Sequence, residues 1–326
     1  SACVMEVSSH SLDQERVRGV RFAAGVFTNL SQDHLDYHGD MRNYAKAKAR
    51  LFAQLEPGSV AVLNYDDPAS ATMADALGSG VRAITYGFSP DADVRAEHVR
   101  PGPDGTRLLM VMPHGRVELF LRLCGLHNVH NALAAAASAL AMGTSELTVA
   151  SALEDARPVA GRLELVEAPL GRPARVRVFV DYAHTPDALD KVCGTLRHLG
   201  EGRLLVVFGC GGDRDRSKRA PMTAAVARHA HTAILTSDNP RSEDPEAILD
   251  EMEQGLVGTA ARCFRVVDRA EAIRCAVAEA QPGDTVLIAG KGHETYQILK
   301  DSVVPFDDRI EAARALAAKE AGWLHR

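Results

Sequence analysis

The sequence predicts an α/β protein built as two successive domains, and three observations lead there. A chain of 326 residues is too long for one ordinary core. Short apolar runs alternate with longer amphipathic or Ala/Leu-rich stretches, which is the pattern of strands in a largely parallel sheet with helices packed on it. The alternation breaks at Arg157-Pro158-Val159-Ala160-Gly161-Arg162 and then restarts. The boundary is therefore placed there, giving domains 1–158 and 159–326.

In the first domain, residues 3–7, 25–30 and 60–64 read as strands, and 41–54 reads as a helix between them. The polar stretch 89–115, marked by Gly and Pro, reads as meandering strands and turns. Residues 128–142 form an Ala/Leu-rich helix that Gly143 would stop. The chain opens without Met, directly on what reads as a buried strand, so a fragment lacking its front is expected. In the second domain, strands at 176–180, 204–208, 232–236 and 285–289 alternate with helices at 187–199, 220–230, 245–255 and 270–281. That is a doubly wound, Rossmann-like sheet, in which ligands sit beyond the carboxyl ends of the strands.

Composition excludes several classes. The net charge is -6 with no basic stripe, so nucleic acid is not expected as a partner. The six cysteines are scattered with no CxxC pair, which argues against zinc or a disulfide framework and for a reduced, cytoplasmic protein. The longest apolar run, 132–142, is too short to span a bilayer, so no membrane insertion is expected.

Four strand-end loops of the second domain carry unusual chemistry. They are Asp181-Tyr182-Ala183-His184-Thr185-Pro186-Asp187, Gly209-Cys210-Gly211-Gly212-Asp213-Arg214-Asp215-Arg216, Ser237-Asp238-Asn239-Pro240-Arg241 and Gly290-Lys291-Gly292-His293-Glu294. One polar loop is ordinary; four on one sheet edge make a site. Arg214 and Arg241 can each fork onto a carboxylate. Asp238 and Glu294 can take an ammonium group, and Gly290 and Gly292 let backbone come close to a ligand. Together these features suggest an amino acid. Each Arg alone could equally be a solvated ion pair. Gly209–Gly212 reads either as a tight turn or as a phosphate cradle, although the Lys-Ser/Thr ending of a P-loop is missing.

The first domain has a second constellation. Glu6 closes the first predicted strand, and Asp33-His34-Leu35-Asp36-Tyr37-His38 follows the second. Glu and His at neighbouring strand ends suit a divalent cation beside nucleotide phosphates, whereas Asp-His alone would be a cap or turn. Lys46 and Lys48 follow on a helix and read as a solvated face. His127, Asn128, His130 and Asn131 open another helix, where Asn serves as a cap or, with the histidines, meets a purine edge.

At this point seven segments taken in order resemble the Mur ligase family, and within it the members that add meso-2,6-diaminopimelate. They are MEVSSH (5–10), TNLSQDHLDYHGD (28–40), GLHNVHNALAA (125–135), DYAHTPDAL (181–189), FGCGGDRD (208–215), DNPR (238–241) and GKGHE (290–294). The resemblance implies a central ATP-binding domain followed by an amino-acid-binding domain. It implies an ADP-forming ligase of peptidoglycan synthesis that activates the D-glutamate carboxylate of UDP-MurNAc-L-Ala-D-Glu as an acyl phosphate, with ATP and Mg2+. By motif, Ser8, Gln14 and Arg16 would contact the UDP-linked substrate. Glu6, His34 and Lys48 would serve the metal, Lys48 as a carbamylated lysine and His34 also in catalysis. Asn128, Asn131, Arg162 and Asp181 would face ATP. Arg214, Asp238, Asn239, Pro240, Arg241, Gly290 and Glu294 would bind meso-diaminopimelate. A monomer is expected.

The family pattern also includes a uridine-nucleotide domain and a P-loop, and no Gx4GK[ST] occurs in these residues. This stretch on its own is therefore expected to be inactive or nearly so. Two other readings remain at this stage: a folylpolyglutamate synthase-like ligase, against which DNPR and GKGHE speak, and a non-catalytic module that binds an amino acid or a partner.

Overall fold

The computed structural model describes residues 2–30, 35–102, 104–167 and 175–322. It divides into two compact units, Ser1–Pro101 with Gly105–Ala156, and Gly102–Asp104 with Arg157–Arg326.

The first unit holds a sheet ordered β1-β2-β3-β4-β5-β6. Its strands are β1 (Ala24–Phe27), β2 (Val60–Asn64), β3 (Arg82–Gly87), β4 (Val94–Gly102), β5 (Gly105–Met112) and β6 (Gly115–Leu121). The first four run parallel, and β5 and β6 form an antiparallel hairpin. All five residues of β2 are buried because helices cover both faces. Val60 and Val62 face α5 (Leu126–Ala141) and α6 (Glu146–Asp155), while Ala61 and Leu63 pack with Phe27, Phe52 and Met73 on the side of α3 (Met41–Ala53) and α4 (Ser70–Asp75). This is the alternation that a doubly covered parallel strand imposes.

One expectation fails here. Residues 3–7 form no strand: the backbone is irregular, Val4 is 98% exposed, and among the described residues no strand pairs with it. An extended apolar run needs a neighbour to satisfy its backbone and cover its side chains. A short helix follows, α1 (Ser9–Asp13), capped by Ser8, which accepts from Ser11 N at 3.1 Å. The small helix α2 (Leu35–His38) precedes α3, which Asp40 caps through Asn43 N at 2.7 Å.

The second unit carries the sheet β11-β10-β9-β12-β8-β7. Its strands are β7 (Glu164–Leu165), β8 (Arg177–Asp181), β9 (Leu204–Phe208), β10 (Thr232–Leu235), β11 (Arg262–Arg265) and β12 (Thr285–Ala289). All are parallel except β7, which is antiparallel to β8. The helices α7 (Pro186–Leu199), α8 (Arg219–Ala227) and α9 (Pro245–Glu253) pack in sequence against one another. The helices α10 (Arg269–Glu279) and α11 (Asp308–Glu320) cover the other face, over Val178, Val180, Val207, Ile234 and Ile288. β12 lies between β8 and β9, so the carboxyl ends of strands distant in sequence become neighbours. The small hairpin β13 (Tyr296–Ile298) and β14 (Val303–Pro305) follows the last loop. The sequence reading missed β7, β11, this hairpin and α11.

Candidate functional site

The best-defined chemistry lies at the carboxyl edge of the second sheet. There the loops after β9 and β10 touch backbone to backbone. Gly212 N donates to Asn239 O at 3.0 Å, and Thr236 N to Phe208 O at 3.0 Å. A β-carbon at Gly209 would overlap Thr236 O, and one at Gly212 would overlap Pro240 O. Gly209 and Gly212 thus let the two loops pack main chain to main chain, as the tight-turn reading expects.

The same interlock sets the two arginines side by side. Gly211 lies between them: a β-carbon there would sit 2.9 Å from Arg241 Nη1 and 3.6 Å from Arg214 Cγ. Arg241 is half-buried in a left-handed backbone (φ +52°), and its Nη1 donates to Gly212 O at 2.7 Å. A bulky residue at positive φ is unusual and is held here by its surroundings; Arg241 N also donates to Ile298 O at 3.2 Å. Arg214 is exposed, and its Nη1 donates to Asp213 O at 3.4 Å.

Beside the arginines sits the acidic half. Asp238 is buried (8% exposed), and burial pushes its carboxyl above the ordinary range although Arg269 and Lys291 pull it down. Its Oδ2 would be 2.7 Å from a β-carbon at Gly290, whose φ of +118° also favours glycine. Asn239 Nδ2 donates to Glu294 Oε2 at 3.1 Å, and Asn239 Oδ1 accepts from Ile298 N at 2.9 Å. Gly290 N donates to Asp181 O at 3.1 Å, tying the ends of β8 and β12. The structure thus gathers Arg214, Asp238, Asn239, Pro240, Arg241, Gly290 and Glu294 into one set of interlocked loops. Two forks for carboxylates lie next to two acids for an ammonium, an arrangement suited to a zwitterion.

Two residues of this site escaped the sequence reading. Lys291 is fully buried, with Nζ 3.1 Å from Asn239 Oδ1 and 3.2 Å from Glu294 Oε2. Arg269 is also fully buried and forks onto Asp308 (Nε–Oδ1 2.8 Å, Nη2–Oδ2 2.7 Å), while Nη2 donates to Ala289 O at 3.0 Å. Burial alone would lower the Arg269 pKa; Asp308 outweighs it, and the net shift is upward. Lys291 stood in the GKGHE segment, and its position between two glycines at a strand end was a usable signal. The partner of Arg269 is 39 positions away in sequence, and nothing local announces it.

Asp181 and Arg162 lie at the β8 end of the same unit. Asp181 accepts from Leu163 N at 2.7 Å and Ala183 N at 2.8 Å, so its carboxylate pins the entry to β7. The Arg162 guanidinium lies 5.0 Å from the centre of the Tyr182 ring. Gly161 meets Gly292 backbone to backbone, at φ +66° and +53°, and a side chain at either would collide. Thr185 caps α7, accepting from Ala188 N at 3.3 Å.

In the first unit, Asn128 is the third residue of α5 and not its cap; Gly125 holds the cap position at φ +89°. The Asn128 amide donates to Cys124 O at 2.9 Å and accepts from Asn131 Nδ2 at 3.2 Å. Gln14 Nε2 is 3.5 Å from Tyr37 Oη, which donates to Asp13 Oδ2 at 2.8 Å. Lys48 Nζ stands 5.1 Å from the centre of the Tyr44 ring, and the ring of His38 stacks on Tyr44. Ser8 is spent on capping α1, and Arg16 is exposed. Glu6 lies on exposed irregular backbone, and His34 falls outside the described residues. Among the described residues no three of His, Cys, Asp or Glu converge on a metal position. Nor, among them, is any helix long and apolar enough to cross a membrane.

The Mur ligase middle domain family matches residues 1–139, and the Mur ligase glutamate ligase domain family matches residues 161–292. The chain is 48% identical over 318 residues to the UDP-N-acetylmuramoyl-L-alanyl-D-glutamate--2,6-diaminopimelate ligase of Geobacillus thermodenitrificans, covering 96% of this chain and 64% of that protein. It is likewise 48% identical to the enzyme of that name from Alkalilimnicola ehrlichii, covering 97% of the chain and 62% of the relative. A solved structure titled as the same ligase superposes with a TM-score of 0.70 at 38% identity, covering 96% of this chain and 64% of that one. The folylpolyglutamate synthase of Thermotoga maritima shares the fold, with a TM-score of 0.64 at 18% identity over 82% of this chain. The chain thus spans a little under two thirds of the first of these relatives' length. Two domain matches in the family's order, with close relatives aligned along nearly the whole chain, make it a member of the Mur ligase family.

Proposed function

We propose that the protein containing this chain is an ADP-forming ligase that joins meso-diaminopimelate to the D-glutamate carboxylate of UDP-MurNAc-L-Ala-D-Glu during peptidoglycan synthesis. The observation that carries this is the pairing of Arg214 and Arg241 around Gly211, beside buried Asp238 and half-buried Glu294. Identity of 48% to proteins named for that reaction supports it.

Diaminopimelate has an amino-acid group at each end. Asp238, Asn239, Arg241 and Glu294, with Arg214 and the backbone at Pro240 and Gly290, grip one end. The amine at the other end is left to attack the activated carboxyl. When bound, ATP supplies the phosphoryl group that activates that carboxyl. Asn128, Asn131, Arg162 and Asp181 are the residues proposed by motif for ATP. Ser8, Gln14 and Arg16 are proposed for the UDP-linked substrate. Glu6, His34 and carbamylated Lys48 are proposed for Mg2+.

Selectivity follows from Arg241. Lysine lacks the second carboxylate, so its binding would leave a half-buried guanidinium without its anion. Stranding such a donor costs roughly 2–5 kcal/mol, enough to reject lysine by orders of magnitude. The test is ADP release from the gene product that contains these residues, with diaminopimelate or lysine as acceptor. Activity with diaminopimelate is expected to exceed that with lysine by at least about thirtyfold, and Arg241→Ala is expected to remove most of the difference. Equal use of lysine by the unaltered protein would sink the reading.

A further inference from the structure

We propose that Lys291 is a positioning residue for the amino-acid substrate: from a fully buried site it orients Asn239 and Glu294 so that the free face of the Glu294 carboxylate meets the substrate ammonium. The proposal rests on the reading of these loops as the diaminopimelate site.

The argument is one of donors and acceptors. An ammonium has three donors and no acceptor. Lys291 Nζ gives one bond to Asn239 Oδ1 at 3.1 Å and one to Glu294 Oε2 at 3.2 Å. Asn239 must therefore turn its oxygen toward Lys291, where Ile298 N also donates, and its NH2 toward Glu294. Glu294 Oε2 then accepts twice, from Lys291 and from Asn239, which fixes the rotation of the carboxylate. Among the described residues no hydrogen bond engages the other oxygen, Oε1, on a side chain that keeps 20% of its surface exposed, so it is open to a ligand. Lys291 itself is 0% exposed, and the Tyr296 ring lies 5.7 Å from its Nζ, so it cannot be a surface ion pair. Nor can it be a ligand for the substrate carboxylate, because it is walled in.

The charge pattern points the same way. The charged groups facing Asp238 are Arg269, Lys291, Asp308 and Glu294. With all ionised, including Asp238, the cluster holds two cations and three anions, and it is one positive charge short. A substrate ammonium would complete it. Lys291 pulls the raised Asp238 carboxyl back toward its charged form, the form that receives an ammonium, and burial opposes this.

The test uses Lys291→Met and Lys291→Gln in the gene product that contains this chain, with separate KM values for diaminopimelate, ATP and the UDP-linked substrate. For Lys291→Met the KM for diaminopimelate is expected to rise about tenfold or more at pH 7, with the other two KM values and kcat within about twofold. The loss should shrink as pH rises toward 9, because buried Asp238 regains its charge. Lys291→Gln, which is one atom shorter and keeps two N–H donors without the charge, is expected to fall between; it carries the test if the Met variant does not fold. A KM for diaminopimelate within about twofold of the unaltered value in a folded variant overturns the proposal. So does an equal loss for all three substrates with no pH dependence, since that marks a purely structural lysine. If the unaltered protein shows no saturable dependence on diaminopimelate, the underlying functional reading fails instead.

Discussion

Asp238 illustrates how one residue can be costly to the fold and useful to the site. Burial raises its proton affinity, and Arg269 and Lys291 only partly compensate. Binding of an ammonium needs the charged form. The acid limb of kcat/KM for diaminopimelate is therefore expected to lie above the usual carboxylate range, and Asp238→Asn should abolish that limb while weakening binding. The sign for stability is opposite. A carboxyl whose folded pKa is raised costs stability as pH rises through that pKa. Asp238→Asn should accordingly leave the protein equally or more stable to urea at neutral pH, with no gain at low pH. An Asn variant that keeps the acid limb, or unfolds more easily at pH 7, would count against this account.

At the scale of elements, the Arg269–Asp308 pair joins the start of α10 to the start of α11, and through Ala289 O it holds the end of β12. A buried pair is weak evidence of stability in itself, but breaking one strands the survivor. Arg269→Met and Asp308→Asn are each expected to cost about 3–5 kcal/mol in urea unfolding, and the double variant clearly less than their sum. Strict additivity would mean that the two do not act as a unit. Asp284 plays a comparable part at the opposite edge of the sheet. It is buried, and its oxygens accept from Arg203 N and Gln281 N at 2.8 Å each and from Arg203 Nη2 at 2.8 Å. Burial works against the charge there, but these bonds win, and the carboxyl is held below its ordinary value of 3.8. Its stabilisation is thus complete above about pH 4 and is lost as pH falls through the depressed folded value. Asp284→Asn is expected to cost about 1–3 kcal/mol at pH 7, with the gap to the unaltered protein narrowing in acid. A gap that stays constant down to low pH would show that the charge is not what matters.

For the whole molecule, legibility followed how local each signal was. The four central strands of the second unit announced themselves as apolar runs, because burial on both faces favours hydrophobic residues at successive positions. Their end loops, hence the candidate site, could be found from that alone. β11 stayed hidden because an edge strand reading Arg262-Cys263-Phe264-Arg265 needs no such run. Residues 3–7 misled for the converse reason: Val4 and Met5 look like strand residues, but the structure leaves both exposed. The arginines and acids proposed to face a ligand could be read as chemistry, residue by residue. Arg269 could not, since its partner Asp308 is brought by the fold from 39 positions away, and for Lys291 the sequence offered only its place between two glycines at a strand end. In the first unit, Glu6 and Lys48 stand as residues suggested by motif, without a geometry that joins them.

The interlock of 209–212 with 236–240 bears on how this scaffold could be re-engineered. Because Gly209 and Gly212 lie directly against the opposing main chain, the two loops are fixed in length and path. Swapping either loop for one from another ligase would have to replace both at once. The variable positions are the side chains projecting from that rigid frame, Arg214 and Arg241 first. A library aimed at a new acceptor amino acid is therefore best confined to those two sites, with the glycines and Lys291 held constant.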